Sequence, residues 1–396
     1  MKKGLWLVIP VCVFIPLLNG QYTFFTPKGS FTVEVALDNS PYLRLPIYQN
    51  TITSLEVVGD YAIGGTSAEP GLSPYVFAVS LSKRRLVSVF PLEKVLPGQR
   101  KIQSGFGKSN GRVLYAGTMP DRAGDTGHII AVAVRGSNGQ IDVTDLGTPI
   151  SGEGIFALTC DPACKALYGI SHANGKFFVF HIPEGRTEVF DLVSSDRRTR
   201  GILREYALTP DDVLARRLIV DRAGRVYGSH PVNKIFRYDP TTRRIELLPD
   251  ELPEVWGRRA LGRVDSWALA PDGTIYGGNA GDGQLFKINP DTGRVVNLGK
   301  PAMMPRMKGL AFAYNGVLYG VTGGAPGYSH LFSYSSSGRG FVDLGNPRFI
   351  MSEPGIEQGI PWRGFQIATL TASEDGRYIV MGEEEALSQL MVFPVE

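Results

Sequence analysis

The feature that most constrains this chain is repetition at a period of tens of residues. The stretch Ala270–Gly299, APDGTIYGGNAGDGQLFKINPDTGRVVNLG, shows the unit. Pro271-Asp272-Gly273 is a tight-turn signal, because glycine supplies a positive φ and aspartate bonds its own backbone. Thr274–Tyr276 is a β-favouring run ending in Gly277-Gly278. A polar loop leads to Gln284–Ile288, and Pro290–Gly293 turns the chain into Arg294–Leu298. With Val264–Leu269 in front, the unit predicts four antiparallel strands.

The unit recurs along the chain. Aligning on Tyr276 gives the column Ile63, Tyr115, Tyr168, Tyr227, Tyr276, Tyr319 and Met381, at steps of 43 to 62 residues. A second column runs YVFAV, HIIAV, KFFVF, KIFRY, QLFKI, HLFSY and QLMVF, opening at Tyr75, His128, Lys176, Lys234, Gln284, His330 and Gln389. Strand four often closes on DLG or NLG, as at Asp145–Gly147, Asn297–Gly299 and Asp343–Gly345. Seven repeats of four short strands predict an all-β fold, a seven-bladed β-propeller of four-stranded antiparallel blades. No 3.6-residue apolar pattern of useful length is present, which excludes a helical solenoid. Third strands apolar on both faces suit blades sandwiched between blades. The last unit stops after its third strand, and a propeller must remove its open edge. The segment Phe31–Tyr48, with alternating Phe31–Leu37, is therefore expected to supply the missing strand. The repeat covers nearly everything from Thr51 onward, so residues 21–396 are read as one domain of the 396-residue chain.

Residues 1–20 read as a secretory signal, with Lys2 and Lys3 ahead of the apolar run Gly4–Leu18. The run is shorter than the roughly 20 residues that span a bilayer, so a secreted or periplasmic protein without a stable membrane span is expected. Cleavage after Gly20 removes two lysines and no acid, taking the net charge from +3 to +1. That balance argues against nonspecific nucleic-acid binding. Of three cysteines, Cys160 and Cys164 flank the first turn of unit three (TCDPAC). In an exported chain they predict a disulfide clipping that turn, because two thiolates without further ligands make an incomplete metal site. A monomer is expected; no cofactor is legible.

Strand order also predicts polarity. Turns between strands one and two and between three and four lie on one face, and here they are short (SNG, DPAC, DRAG, PDG, YNG, EDG). Connections from strand two to three, and from strand four to the next unit, lie on the other face and include 193–216, 249–263 and 346–363. Long loops on a rigid scaffold commonly carry binding residues. His172, His230, His128 and His330 map to this long-loop face and His181 to the other. Thr209-Pro210-Asp211-Asp212 reads as a helix start within the longest loop.

The recurring tyrosines are explained by packing and are excluded as catalytic. Three residues further on lies a column that is always polar: Thr66, Thr118, Ser171, His230, Asn279, Thr322 and Glu384. His230, Asn279 and Glu384 stand out, either as ligand contacts or as hydrogen-bonding partners of the adjoining loop. The long loops add Arg197, Arg198, Arg200, Arg204 and Tyr206, then Trp256, Arg258, Arg259 and Arg263, then Trp362 and Arg363. Arginines can grip carboxylates bidentately, and Trp or Tyr can face a sugar ring, although interspersed acids can pair with the same arginines.

The repeat text YGG, LFKINPDTG and DLG resembles bacterial secreted β-propeller repeat proteins and, more loosely, propeller-type polysaccharide lyases. The resemblance covers Thr51–Glu396 as architecture and implies no active-site residues. Three functions follow as expectations. The first is binding of an acidic polysaccharide or oligosaccharide, with β-elimination using Arg204 or Arg258 on the carboxylate, His172 or His230 as base and Tyr206 as acid. Arg259, Trp256, Asn279, Trp362 and Arg363 would complete the binding surface. The second is a non-catalytic protein- or glycan-binding scaffold. The third is a metal-dependent lactonase or streptogramin-lyase-like propeller, with Glu384 and Asn279 at its axis.

Overall fold

The computed structural model describes residues 24–25, 28–36, 43–103, 105–108, 113–192, 197–231, 233–254, 262–324, 328–349, 362–363, 366–385 and 388–396. Strand pairing sorts the strands into four-stranded antiparallel units spanning 51–91, 107–147, 154–190, 219–247, 264–299, 307–349 and 367–394, the last completed from the N-terminal side. Within each, consecutive strands pair in meander order. The missing fourth strand of the last unit is Phe31–Glu34, antiparallel to Gln389–Pro394, with Val33 opposite Leu390. Val33 is fully buried with Val392, Leu390 and Val380 on one side and Leu55, Val57 and Phe77 of the first unit on the other. The expected ring closure is therefore present.

A glycine–phenylalanine device repeats inside the units. In five of them the glycine after the Tyr/Ile column sits directly opposite a phenylalanine of strand three: Gly64 and Phe77, Gly169 and Phe178, Gly228 and Phe236, Gly277 and Phe286, Gly320 and Phe332. Each ring folds over its glycine, where a Cβ would collide with it. These phenylalanines are fully buried, and each contributes on the order of 1.5–3 kcal/mol by leaving water. The sequence words YGG and LF are two halves of this contact. Between units the same rings meet their neighbours, as where Phe177 packs on Phe236 and Tyr238 at centroid distances of 5.6 and 5.0 Å. Each hydrophobic cluster among the described residues joins two consecutive units, so the core is a ring of interfaces rather than one centre.

The DLG and NLG endings have a definite role. The aspartate or asparagine of each accepts the N–H of its own glycine at 2.8 Å: Asp145 from Gly147, Asn297 from Gly299, Asp343 from Gly345. The three glycines hold φ between 86° and 100°, which a side chain rarely adopts. The same Asp or Asn clamps the first residue of strand three or its neighbour: His128 Nδ1 lies 3.0 Å from Asp145, Asn297 donates to Gln284 at 2.5 Å, and His330 Nδ1 lies 3.1 Å from Asp343.

Three short strands lie outside the repeat. Gln99–Ile102 bridges the first two units into one nine-stranded sheet. Phe24–Phe25 pairs in parallel with Asn346-Pro347 of the sixth unit, and Trp362–Arg363 pairs with Arg348–Phe349. Runs of two to four residues carry no readable period, which is why they were not legible beforehand. Two helices, α1 (Arg197–Glu205) and α2 (Pro210–Val213), order the longest loop. The expected α2 start is present: Asp212 accepts both the Thr209 N–H at 2.9 Å and its hydroxyl at 2.6 Å. Cys160 and Cys164 form the expected disulfide. The signal segment, residues 1–20, lies outside the described residues.

Two outcomes follow. Gly228→Ala would place its Cβ 2.6 Å from both Leu218 and Phe236, so urea unfolding should show a loss of about 1–3 kcal/mol. Burial works against ionisation of Asp343, but hydrogen bonds from His330 and the Gly345 N–H outweigh it and hold its carboxyl below the usual range. A folded pKa below the unfolded value of about 3.9 gives stability that is present above that value and lost as pH falls through the folded pKa. The gap in denaturation midpoint between wild type and Asp343→Asn, open at about pH 6, should therefore close as the pH drops below about 4.

Candidate functional site: the axial pocket of the long-loop face

Each innermost strand starts at the long-loop face, and in five units its register shifts at the second or third residue. The shifts fall between Ile52 and Ser54, Ile155 and Ala157, Val264 and Ser266, Met307 and Gly309, and Ile367 and Thr369. The skipped residues are Thr53, Phe156, Asp265, Lys308 and Ala368. A β-bulge re-aims a side chain out of the ladder, and four of these five, with Phe156 excepted, line one axial pocket. Arg216 occupies the same position in the fourth unit, five residues before Asp221, whose carbonyl opens the first turn. Asp265 stands likewise before Ala270, and Lys308 before Ala313.

The pocket is open to solvent and, with the open space at its mouth included, takes in about 510 Å³. Among the described residues, Lys101, Arg216, Arg217 and Lys308 face it together with Asp265 and Glu384. Both acids are engaged: Arg263 lies 2.9 Å from Asp265, and Lys308 3.7 Å from Glu384. Arg217 differs from its neighbours. Among the described residues its guanidinium makes no hydrogen bond or ion pair, while its backbone carbonyl accepts Trp267 Nε1 at 3.2 Å. It is seated over Gly105, where a Cβ would lie 2.9 Å from the guanidinium carbon. Burial lowers its pKa, opposed by the charges of Asp265 and Glu56. An arginine stays charged in proteins, and Arg217 is half-buried, so its charge remains available at the pocket wall.

Further along the axis, Glu56 lies 3.9 Å from Lys108, which also lies 3.0 Å from Glu374 and donates to the Val57 carbonyl at 2.6 Å. Burial pushes the Glu56 carboxyl up, against the opposing charge of Lys108. Among the described residues, the lining at the end that opens on the long loops holds more cations than acids.

The polar column divides cleanly. Thr66 donates to the Gln49 carbonyl, Thr118 to Gln99, Ser171 to Glu153 and Thr322 to the Pro305 carbonyl. His230 Nε2 donates to the Leu192 carbonyl at 2.8 Å, and Asn279 to the Pro253 carbonyl at 2.8 Å. Six members therefore pin the connection entering their own unit, and His230 and Asn279, both buried, do so with longer side chains. Glu384 departs from the pattern and reaches the axial pocket.

Among the expected histidines, His172 is linked to that pocket through Phe156. It stacks on Phe156 at 5.3 Å, and Arg216, a pocket residue, lies over the same ring at 5.5 Å. Tyr206 and Arg204 sit exposed at the end of α1 and do not line the pocket. Trp256, Arg258 and Arg259 lie outside the described residues, as do the side chains of Trp362 and Arg363. Burial pushes the Tyr168 and Tyr227 hydroxyls up to about 12, in keeping with a packing role. Sequence reading missed Arg216, Arg217, Asp265, Lys308 and Lys101. The available signal was the position five residues before each first turn, where charge interrupts an otherwise apolar innermost strand.

No family model and no curated protein sequence matches the chain. Solved structures do. A streptogramin B lyase superposes with a TM-score of 0.61 at 10% identity, over 92% of this chain and 98% of that one. The WD40 repeats of RRP9 give 0.57 at 14%, over 92% and 100%. The extracellular domain of BT4673 from B. thetaiotaomicron gives 0.54 at 14%, over 91% of this chain and 39% of that one. Among the described residues no helix is long and apolar enough to cross a membrane. At such identities the likeness establishes the fold alone: the chain is similar in architecture to β-propellers, enzymes and scaffolds alike.

Proposed function

We propose that this chain is an exported propeller that binds an acidic saccharide, taking a carboxylate into the axial pocket of its long-loop face. The observation that carries this reading is Arg217, a half-buried guanidinium with no hydrogen-bonded or ion-paired partner among the described residues, in a pocket whose described lining holds four cations and two acids. A half-buried guanidinium with no close partner is open to an incoming carboxylate, which would meet it with a bidentate, charge-assisted pair. Lys101 and Arg216 also line the pocket, and His172 borders it through Phe156. The propeller serves lyases and scaffolds equally among similar structures, so pocket chemistry rather than fold supports the choice. Export rests on the signal-like residues 1–20 and on the apolar run that is too short to span.

Calorimetry with oligosaccharides of 4-linked glucuronate tests the reading. Arg217→Gln should weaken binding about ten- to a hundredfold, the loss of ~1.5–3 kcal/mol expected for a hydrogen bond to a charged group. Absorbance of an unsaturated uronate product, followed in parallel, separates elimination from plain binding. Binding equally tight in the variant, or none in the wild type, would overturn the assignment of the pocket.

A further inference from the structure

We propose that Lys308 is a covalent anchor for small oxo acids: with the acid's carboxylate on Arg217, the Lys308 amine adds to the neighbouring carbonyl and forms a Schiff base. The inference rests on the reading that the pocket takes a carboxylate. Its geometric basis is independent of any saccharide.

Lys308 reaches the axis because the bulge between Met307 and Gly309 turns it out of the strand ladder. Its side chain is 15% exposed, so it is both desolvated and open to the pocket. Glu384, 3.7 Å away, is the column member that reaches a pocket lysine rather than pinning a connection. It is placed to receive a proton from the ammonium. Arg306 and Arg216 oppose a charge on Lys308, while Glu384 and Asp265 favour one; burial is the largest influence and leaves the amine below the ordinary lysine range. A lysine desolvated in a pocket beside other cations is the recurring setting of amine nucleophiles. A ligand that satisfies both Arg217 and Lys308 carries a carboxylate and a carbonyl in one small molecule, which describes oxo acids and the open-chain form of free uronates.

The step balances without a redox partner. Glu384 takes one proton from the ammonium, and the freed lone pair forms the N–C bond as the carbonyl π pair moves to oxygen. That oxygen collects two of the three ammonium protons in all and leaves as water. The product is an iminium that retains the single positive charge.

The test is reductive trapping on the full chain with glyoxylate and cyanoborohydride, mapped by peptide mass spectrometry. The expected result is an adduct at Lys308 that exceeds the one at exposed Lys83 in the same molecule by at least about tenfold near pH 7.5, with the excess shrinking towards pH 10 as exposed lysines also deprotonate. Lys308→Arg should abolish this adduct. Arg217→Gln should lower it with glyoxylate but not with acetaldehyde, which lacks the carboxylate. Adducts no greater at Lys308 than at Lys83 overturn the proposal, and the wild-type comparison decides this even where a variant fails to fold. If Arg217-dependent binding of glucuronate persists without the adduct, only the Lys308 inference falls. If that binding is absent too, the carboxylate reading falls with it.

Discussion

The contact on which the architecture depends is the phenylalanine ring of strand three folded over a glycine of strand two. It sets how closely the two middle strands of a unit can be covered from the next unit. With no Cβ on the glycine, the ring lies flat against backbone, and the neighbouring unit finds an apolar surface to pack on. Phe77, Phe178, Phe236, Phe286 and Phe332 are fully buried in this way. Because no unit can bury both its faces alone, the chain must close, and Val33 at the seam does for the last interface what strand pairing within one chain segment does elsewhere.

The repeat separates structural from functional positions by showing what each column is obliged to do. The DLG column turns the chain and clamps strand three. The polar column pins the incoming connection, and a histidine or asparagine there meets the same obligation as a threonine. The bulge column is different. Its residues stand outside the regular ladder: Thr53, Arg216, Asp265, Lys308 and Ala368 line the axial pocket, whereas Phe156 stacks on His172. Variety in a column released from packing is what a ligand site built on a repeat looks like.

The electrostatics of the axis follow from that release. Away from the long-loop face, Lys108 lies between the acids Glu56 and Glu374. At the long-loop end Asp265 and Glu384 are engaged by Arg263 and Lys308, which leaves Arg217 half-buried with only through-space opposition from Asp265 and Glu56.

The sequence by itself determined the strands, the unit, the closing segment, the disulfide, the α2 start and the face on which long loops gather. All of these are local: turn chemistry, alternation and recurrence are written within a few residues of each other. It also isolated the polar column, yet could not say which members pin a loop and which face a ligand, because Glu384 and Asn279 differ only in where their side chains end. The axial pocket was decided by the tertiary structure. Arg217, Asp265 and Lys308 come from three units, and their neighbourhood exists only after the ring has closed and one-residue bulges have turned Asp265 and Lys308 out of their strands. Charge in a strand reads as an exposed edge in one dimension; closure of the ring is what turns it inward and removes its water.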